Sequence, residues 1–257
     1  MKFADFREYI NQLNWFVVIF TLLVFSGLIK LGLWQSSRAM EKEQRLIRIS
    51  EYKTQDALSL SEVLSLKQIE EDINDLPVVF HGIFDEKKLF LLDNQTHKGR
   101  LGYRVLQILV TKDYAVLVNL GWVEGYIDRN KLPKITPVSG EHQVKGQIRI
   151  VEKGIVLSEQ NFANLQWPLR VQTIEIDKFS TIIEQKLLPF VVYLDTNEEL
   201  GFEKNWRPIV MPPEKHRAYA FQWFSLATAW LILMFSASVW FSRNKPAEVS
   251  KNNNKNK

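Results

Sequence analysis

Two long apolar blocks near opposite ends of the chain limit the folds that this sequence can adopt. Residues 15–34 read WFVVIFTLLVFSGLIKLGLW, with one charge, and residues 221–241 read FQWFSLATAWLILMFSASVWF, with none. At about 1.5 Å per helical residue, each block can cross roughly 30 Å of hydrocarbon. Five of the eight tryptophans lie in these blocks, mostly near their ends, as in the aromatic belts of membrane proteins. We therefore expect two transmembrane helices.

The first block has a competing interpretation, a cleavable signal peptide. Its apolar run is too long for that role, Asp5 and Glu8 dilute the basic segment before it, and no Ala-x-Ala site follows. The same two acids disfavour a mitochondrial transit peptide, which would be poor in acidic residues. We expect a bacterial protein of the inner membrane.

Two spans place both termini on one side of the membrane. The tail, residues 242–257, is strongly basic and polar, so the positive-inside rule assigns it to the cytoplasm and its composition predicts disorder. Residues 1–14 are then cytoplasmic and residues 35–220 periplasmic. Basic residues that follow the first span weaken this assignment: Arg38, Lys42, Arg45 and Arg48.

The middle segment, residues 35–220, has the pattern of a β-rich domain with a few helices. Apolar residues at helical spacing over 58–73 and 177–187 predict helices, starting at Ser61-Glu62 and capped by Asp177 respectively. Short β-like runs lie between and after them, at 77–85, 88–93, 103–111, 114–122, 144–151, 170–176 and 190–194. The predicted fold class is two transmembrane α-helices flanking an α+β, barrel- or sandwich-like extramembrane domain.

The residue inventory argues against catalysis. The chain has no cysteine, which excludes disulfides, thiolate metal sites and a cysteine nucleophile. It also lacks the common phosphate-loop, serine-hydrolase, zinc-protease and dinucleotide-binding motifs. The four histidines are scattered without the spacing of metal ligands, so no zinc site is expected. Nothing points to an enzyme or to binding of nucleic acid.

The stretch that enters the second span, residues 206–224, is chemically distinctive. A helix that begins near Glu214 would place His216, Tyr219, Ala220 and Trp223 on one face, with Arg217 beside them. An iron porphyrin would use an imidazole for the metal, aromatic rings for the macrocycle and a cation for its propionates. The plainer alternative is an interfacial collar of aromatic and basic side chains.

Four motifs, in this order, resemble the Surfeit locus protein 1 family of cytochrome c oxidase assembly factors. The first is Gly32-Leu33-Trp34-Gln35-Ser36-Ser37-Arg38, with Lys42 following, where the first span ends. The others are Leu92-Asp93-Asn94 with Gly102-Tyr103-Arg104-Val105 and Val118-Asn119-Leu120-Gly121-Trp122-Val123, then Asn164 with Trp167-Pro168-Leu169-Arg170, and finally the segment from Pro213 to Trp223. Leu120 and Glu124 depart from the pattern, because the family commonly has arginine and proline there. The apolar Leu120 is expected to face the core.

The resemblance implies a non-enzymatic role in maturing the oxidase catalytic subunit by assisting insertion of haem a. It makes His216 the candidate iron ligand, with Tyr219 and Trp223 beside the macrocycle and Arg217 near a propionate. Trp34, Gln35, Arg38 and Lys42 become candidates for docking a partner: the oxidase catalytic subunit, or haem a synthase as a further one. Trp122 and Trp167 are expected in the core. Without thiolates and with dispersed methionines, a copper-delivery role is not expected.

A second class of function, with no cofactor, is a two-span structural regulator of surface polysaccharide assembly. Periplasmic domains of that class consist largely of long helices, whereas residues 35–220 have a β pattern. A dominant helix content in the middle domain would therefore favour the regulator, and a sheet would disfavour it.

Overall fold

A computed structural model of the chain describes residues 15–69, 72–151 and 165–243, without the side chains of the last two. The expectations for the N-terminal segment, the tail beyond residue 243 and Asn164 lie outside the described residues. The chain divides into two compact units, one formed by Met1–Leu46 with Ile209–Lys257 and the other by Ile47–Pro208. In chain order the elements are α1 (Trp15–Tyr52), α2 (Leu60–Ile69), β1 (Pro77–His97), β2 (Arg100–Val110), β3 (Ala115–Glu124), β4 (Glu141–Arg149), β5 (Leu169–Val171), α3 (Ile176–Ile183), β6 (Leu187–Leu194) and α4 (Pro213–Arg243).

The first unit is built on α1 and α4, which contain the two apolar blocks. Both helices are long and apolar enough to cross a membrane, and only 6% of the most apolar window of each is buried. Both continue past the apolar blocks: α1 runs on to Tyr52, and α4 starts at Pro213. Proline suits a first helical position because its fixed φ is helical and its missing N–H would have had no partner there.

Small side chains let α1 and α4 pack closely and antiparallel. A Cβ atom added at Gly32 of α1 would lie 2.5 Å from a ring carbon of Phe224 of α4. Ala39, Ala220 and Ala227 are buried in the described structure. Further along, the indole Nε1 of Trp230 donates a hydrogen bond of 3.2 Å to a carbonyl oxygen of α1. Such small-residue contacts are typical of helices that associate in membranes.

The second unit is a six-stranded mixed sheet whose pairings close into a circuit. Strand β1 pairs with β2, β2 with β3, β3 with β6, β6 with β4, and β4 again with β1. The short β5 adds in parallel to the β1 residues Phe90–Leu92. Of the two architectures expected from the sequence, this closed order of five strands is the one typical of a barrel.

Apolar side chains are buried in two clusters of this unit. The larger cluster takes alternate residues of the circuit, such as Val78, Val105 and Val192, and includes Leu60 and Val63 of α2. The smaller cluster takes the intervening residues, such as Leu106 and Val191, and is covered by α3 and β5. Residues i and i+2 share a face of a strand, which explains why one strand contributes to both clusters.

One expectation about the strands is wrong. The runs at 77–85 and 88–93 are not separate strands, because β1 is continuous over 21 residues. Its pairing with β2 shifts register between Phe84 and Leu89, which indicates a bulge. There Asp85 Oδ1 accepts a hydrogen bond of 2.9 Å from the Lys87 backbone N–H. A bulge bends a strand, so the first half of β1 can pair with β4 and the second half with β2.

Both predicted helix starts in this unit also need correction. The cap of α2 is Ser59. The Ser59 hydroxyl accepts a hydrogen bond of 3.3 Å from the Glu62 backbone N–H, and the Ser59 backbone N–H donates one of 2.7 Å to Glu62 Oε2. This is a capping box. The hydrogen bond from the Ser59 side chain, followed by the one from the Ser59 backbone, lowers the pKa of Glu62. For α3 the cap position is Glu175, without a side-chain cap, and Asp177 lies in the first turn.

Candidate functional site

His216, in the first turn of α4, is turned towards α1 and is only 7% exposed. Its ring nitrogen Nδ1 lies 2.7 Å from Oε1 of Gln35 on α1. Both residues belong to the same compact unit. A single hydrogen bond in the structure therefore joins two of the sequence motifs, the one that follows the first apolar block and the one that precedes the second.

This hydrogen bond orients the imidazole. An amide oxygen only accepts hydrogen bonds, so the contact suits the neutral tautomer that has its proton on Nδ1. The other nitrogen, Nε2, then has its lone pair free, and it makes no hydrogen bond with any residue that the structure describes. Histidines that bind metals have this arrangement, with one ring nitrogen oriented by a polar partner and the other free to coordinate.

Arg217, the next residue, has an anionic partner within the protein. Its guanidinium Nη2 donates to Oε2 of Glu43 on α1, and both side chains are about half exposed. The hydrogen bond and the charge of Glu43 raise the pKa of Arg217. A propionate at this position would have to compete with Glu43 for the guanidinium group.

The two aromatic candidates on α4 differ in their surroundings. Trp223 is half-buried, whereas Tyr219 is 45% exposed. Ala220, one turn beyond His216, is buried as the helical spacing predicts. Of the four residues placed on one face by the sequence, His216, Ala220 and Trp223 are the less exposed, and Tyr219 is available to a molecule outside the helix pair.

The candidate docking residues of α1 separate into two groups. Gln35 is committed to His216, but Trp34 is 50% exposed and the Arg38 guanidinium carbon lies 5.9 Å from its ring centroid. Arg38 and Lys42 share Glu41 as partner, at 2.6 and 3.1 Å, and their hydrogen bonds lower the pKa of that carboxyl. Trp34 and Arg38 are about half exposed and Lys42 less so, and these three residues form a group that follows the α1 sequence on either side of Gln35.

A second polar site lies in the sheet unit, and the sequence analysis found only part of it. Asp93 is buried, and its carboxylate binds Arg129 Nη2 at 2.7 Å and lies 3.8 Å from Arg170 Nε. Arg170 also donates to the Arg129 backbone oxygen at 2.8 Å. The structure thus joins the Leu92-Asp93-Asn94 and Trp167–Arg170 motifs. Arg129, in the loop after β3, carried no sequence signal.

Three further motif residues pack in or against the core of the sheet unit. Leu120 is fully buried in the larger core cluster. Trp122 is 6% exposed and its indole N–H donates to the Gln95 carbonyl at 2.8 Å. Trp167 packs edge-on against Phe90, with ring centroids 5.2 Å apart. Within the described ranges, no three His, Asp or Glu side chains are grouped as a metal site.

Comparison with known proteins bears on the family to which the chain belongs. A sequence model described as the SURF1 family matches residues 22–228, which is well over half of the chain. The chain belongs to the SURF1 family. It is also 26% identical over 222 residues to a protein of Rickettsia felis named "SURF1-like protein", and the match covers 82% of this chain and 92% of the relative. The SURF1 family is known as a family of cytochrome c oxidase assembly factors and is not catalytic.

Proposed function

We propose that this chain is a membrane-anchored assembly factor for cytochrome c oxidase that assists the insertion of haem a into the catalytic subunit. The observation that carries the proposal is the hydrogen bond from His216 Nδ1 to Gln35 Oε1. It leaves Nε2 as the coordinating atom of an oriented imidazole. Haem a, when bound, would supply an iron that His216 Nε2 could hold.

The protein groups around His216 have distinct roles in this proposal. Gln35 would orient the imidazole and favour the tautomer with its proton on Nδ1, since its amide oxygen only accepts hydrogen bonds. Trp223, and Tyr219 on the more exposed side, provide ring surface for a flat macrocycle. Arg217 would bind a propionate only in competition with Glu43, which already pairs with its guanidinium group. This competition suits a protein that passes haem on, because a weakly held ligand is released more readily.

The proposed location is a bacterial inner membrane, with α1 and α4 as the spans, both termini in the cytoplasm and the sheet unit in the periplasm. The exposed apolar helices support the anchoring and the basic tail supports the orientation. The proposed partners are the oxidase catalytic subunit and haem a synthase, with Trp34, Arg38 and Lys42 as the docking group. The closed sheet disagrees with the helical domain expected for a polysaccharide regulator.

Haem content of the purified full-length protein tests the ligand assignment. The chain is expressed in cells that make haem a, purified in detergent, and its haem identified by pyridine haemochrome spectroscopy. We expect haem a in the wild type and in His81→Ala, and little in His216→Ala. His81 is a matched control because it also lies against a glutamine, with 3.1 Å between its Nε2 and Gln143 Nε2. An equal haem content in the wild type and in His216→Ala would rule out His216 as the iron ligand.

A further inference from the structure

The sheet unit contains a small recess with a positive lining. Strands β2, β3 and β6 and the segment after β6 line it with side chains that include Arg104, Asn119, Tyr193, Lys204 and Trp206. None of the described residues lining this recess is acidic. Two cations therefore face one cavity without a lining carboxylate.

The aromatic side chains of the recess hold its arginines by stacking. The guanidinium carbon of Arg104 lies 5.6 Å from the Tyr193 ring centroid, and the Tyr193 and Trp206 rings are 5.1 Å apart. On the far side, the guanidinium carbon of Arg149 lies 5.2 Å from the Trp206 ring. Such cation–π contacts orient a guanidinium group without using its N–H donors.

The two stacked arginines differ in one respect. Arg149 donates from Nη1 to the buried carboxylate of Asp75 at 3.2 Å. Arg104 makes no ion pair or hydrogen bond with the described residues, and its Nε is buried without a hydrogen-bond partner. A buried guanidinium donor without a partner is unfavourable, so this position is suited to an anion supplied from elsewhere.

The neighbouring donors strengthen this interpretation. The Lys204 ammonium group donates to the backbone oxygens of Glu198 and Leu200, which are uncharged partners. Burial lowers the pKa of Lys204, and the charge of Glu198 opposes this effect without cancelling it. The Tyr193 hydroxyl and the Trp206 indole N–H also make no hydrogen bond with described residues, so both can donate to a bound molecule.

We propose that this recess binds the carboxylate group of a small organic anion, with Arg104 as its principal contact. The Nε–H and Nη–H on one edge of a guanidinium group match the two oxygens of a carboxylate, which makes a paired hydrogen bond. The recess is small, so it receives the carboxylate end of the ligand and not a whole large molecule. This site is independent of the haem proposal, because it uses none of the residues of the helix pair.

Equilibrium dialysis of the full-length protein against radiolabelled succinate tests the proposal. We expect saturable binding at constant chloride concentration, displaced by unlabelled succinate and not by the same concentration of inorganic phosphate. Arg104→Lys keeps the charge but loses the paired geometry, and should weaken binding by roughly tenfold or more. Arg100→Lys is the matched control, since Arg100 lies on the same strand but is exposed and paired with Glu124.

Three results would overturn the proposal. One is the absence of saturable succinate binding to the wild type, which needs no folded variant to interpret. Another is equal binding by the wild type and a folded Arg104→Lys variant, and the third is displacement by phosphate as efficient as by succinate. A special case of the first result is binding that appears only after Glu152→Gln or Glu159→Gln. Those glutamates lie outside the described residues, and that result would assign the recess to the chain's own carboxylate.

Discussion

The imidazole of His216 gains its chemical character from one neighbour, the Gln35 amide. With Nδ1 lying 2.7 Å from Gln35 Oε1, the ring is oriented by a residue 181 positions earlier in the chain. The sequence identified both residues, but as members of separate groups, a ligand and a docking residue. No periodicity within one helix can show a contact between two helices, so the pairing became visible only in the structure.

Replacing Gln35 by leucine should weaken haem binding while leaving His216 in place. The variant removes the acceptor that orients the imidazole, and losses of such outer partners typically cost 10- to 100-fold in metal affinity. Titration of the purified protein with haem, followed by absorbance, measures the change. Gln143→Leu, which removes the glutamine beside His81, should leave the affinity unchanged. Identical titrations of Gln35→Leu and wild type would show that Gln35 does not act on the ligand.

Asp93 should stabilise the sheet unit through its arginines. In Asp93→Asn the shape is retained but the charge that binds Arg129 at 2.7 Å is lost, so the free energy of unfolding should fall by about 1–3 kcal/mol. Denaturant unfolding of the full-length protein, followed by tryptophan fluorescence, measures it. Asp128→Asn is the control, because that carboxylate is half exposed and 3.7 Å from Lys131. Equal losses in both variants would contradict the role of Asp93.

At the scale of elements, the sequence predicted strands and helices well where apolar periodicity was regular. The runs predicted at 103–111 and 114–122 are β2 and β3, which begin and end near those limits and pair antiparallel. The errors fall where a local hydrogen bond overrides the pattern, as at the bulge near Asp85 and the Ser59 cap. The seven-residue strand expected over 170–176 is reduced to Leu169–Val171, because its residues pair only with β1.

The packing of α1 against α4 should depend on Gly32. A leucine there would place its Cβ 2.5 Å from the Phe224 ring, so the helices must separate, at a cost of about 1–3 kcal/mol. Thermal unfolding in detergent measures the loss, and adding Phe224→Ala should recover part of it. Gly27→Leu on the same helix is the control, since nothing lies within 4 Å of its added Cβ. A midpoint equally lowered by Gly27→Leu would argue against a specific contact.

The whole molecule combines a helix pair and a closed sheet, and the sequence predicted both classes from hydropathy and alternation. The order of the strands could not be predicted, since β3 pairs in parallel with β6 across more than 60 residues of intervening chain. The Asp93 site has the same origin, because Arg129 reaches it from a loop without periodicity. Residues that meet through topology alone leave no local signal.

The proposed orientation can be mapped with single cysteines, since the natural chain has none to interfere. Tyr126, 52% exposed, is suited to replacement in the sheet unit, and Asn252 in the tail. In intact spheroplasts, a membrane-impermeant maleimide should label Tyr126→Cys and should label Asn252→Cys only after permeabilisation. Labelling of the tail alone in intact cells would reverse the proposed topology.

The central claim, that the chain serves haem insertion through His216, is tested most directly inside the cell. Membranes are prepared from a strain that lacks the gene and carries the wild type, His81→Ala or His216→Ala, and the ratio of haem a to oxidase catalytic subunit is measured. We expect the first two to restore the ratio, and His216→Ala, present in the membrane at an equal level, to leave it low. Full restoration by His216→Ala would contradict the claim.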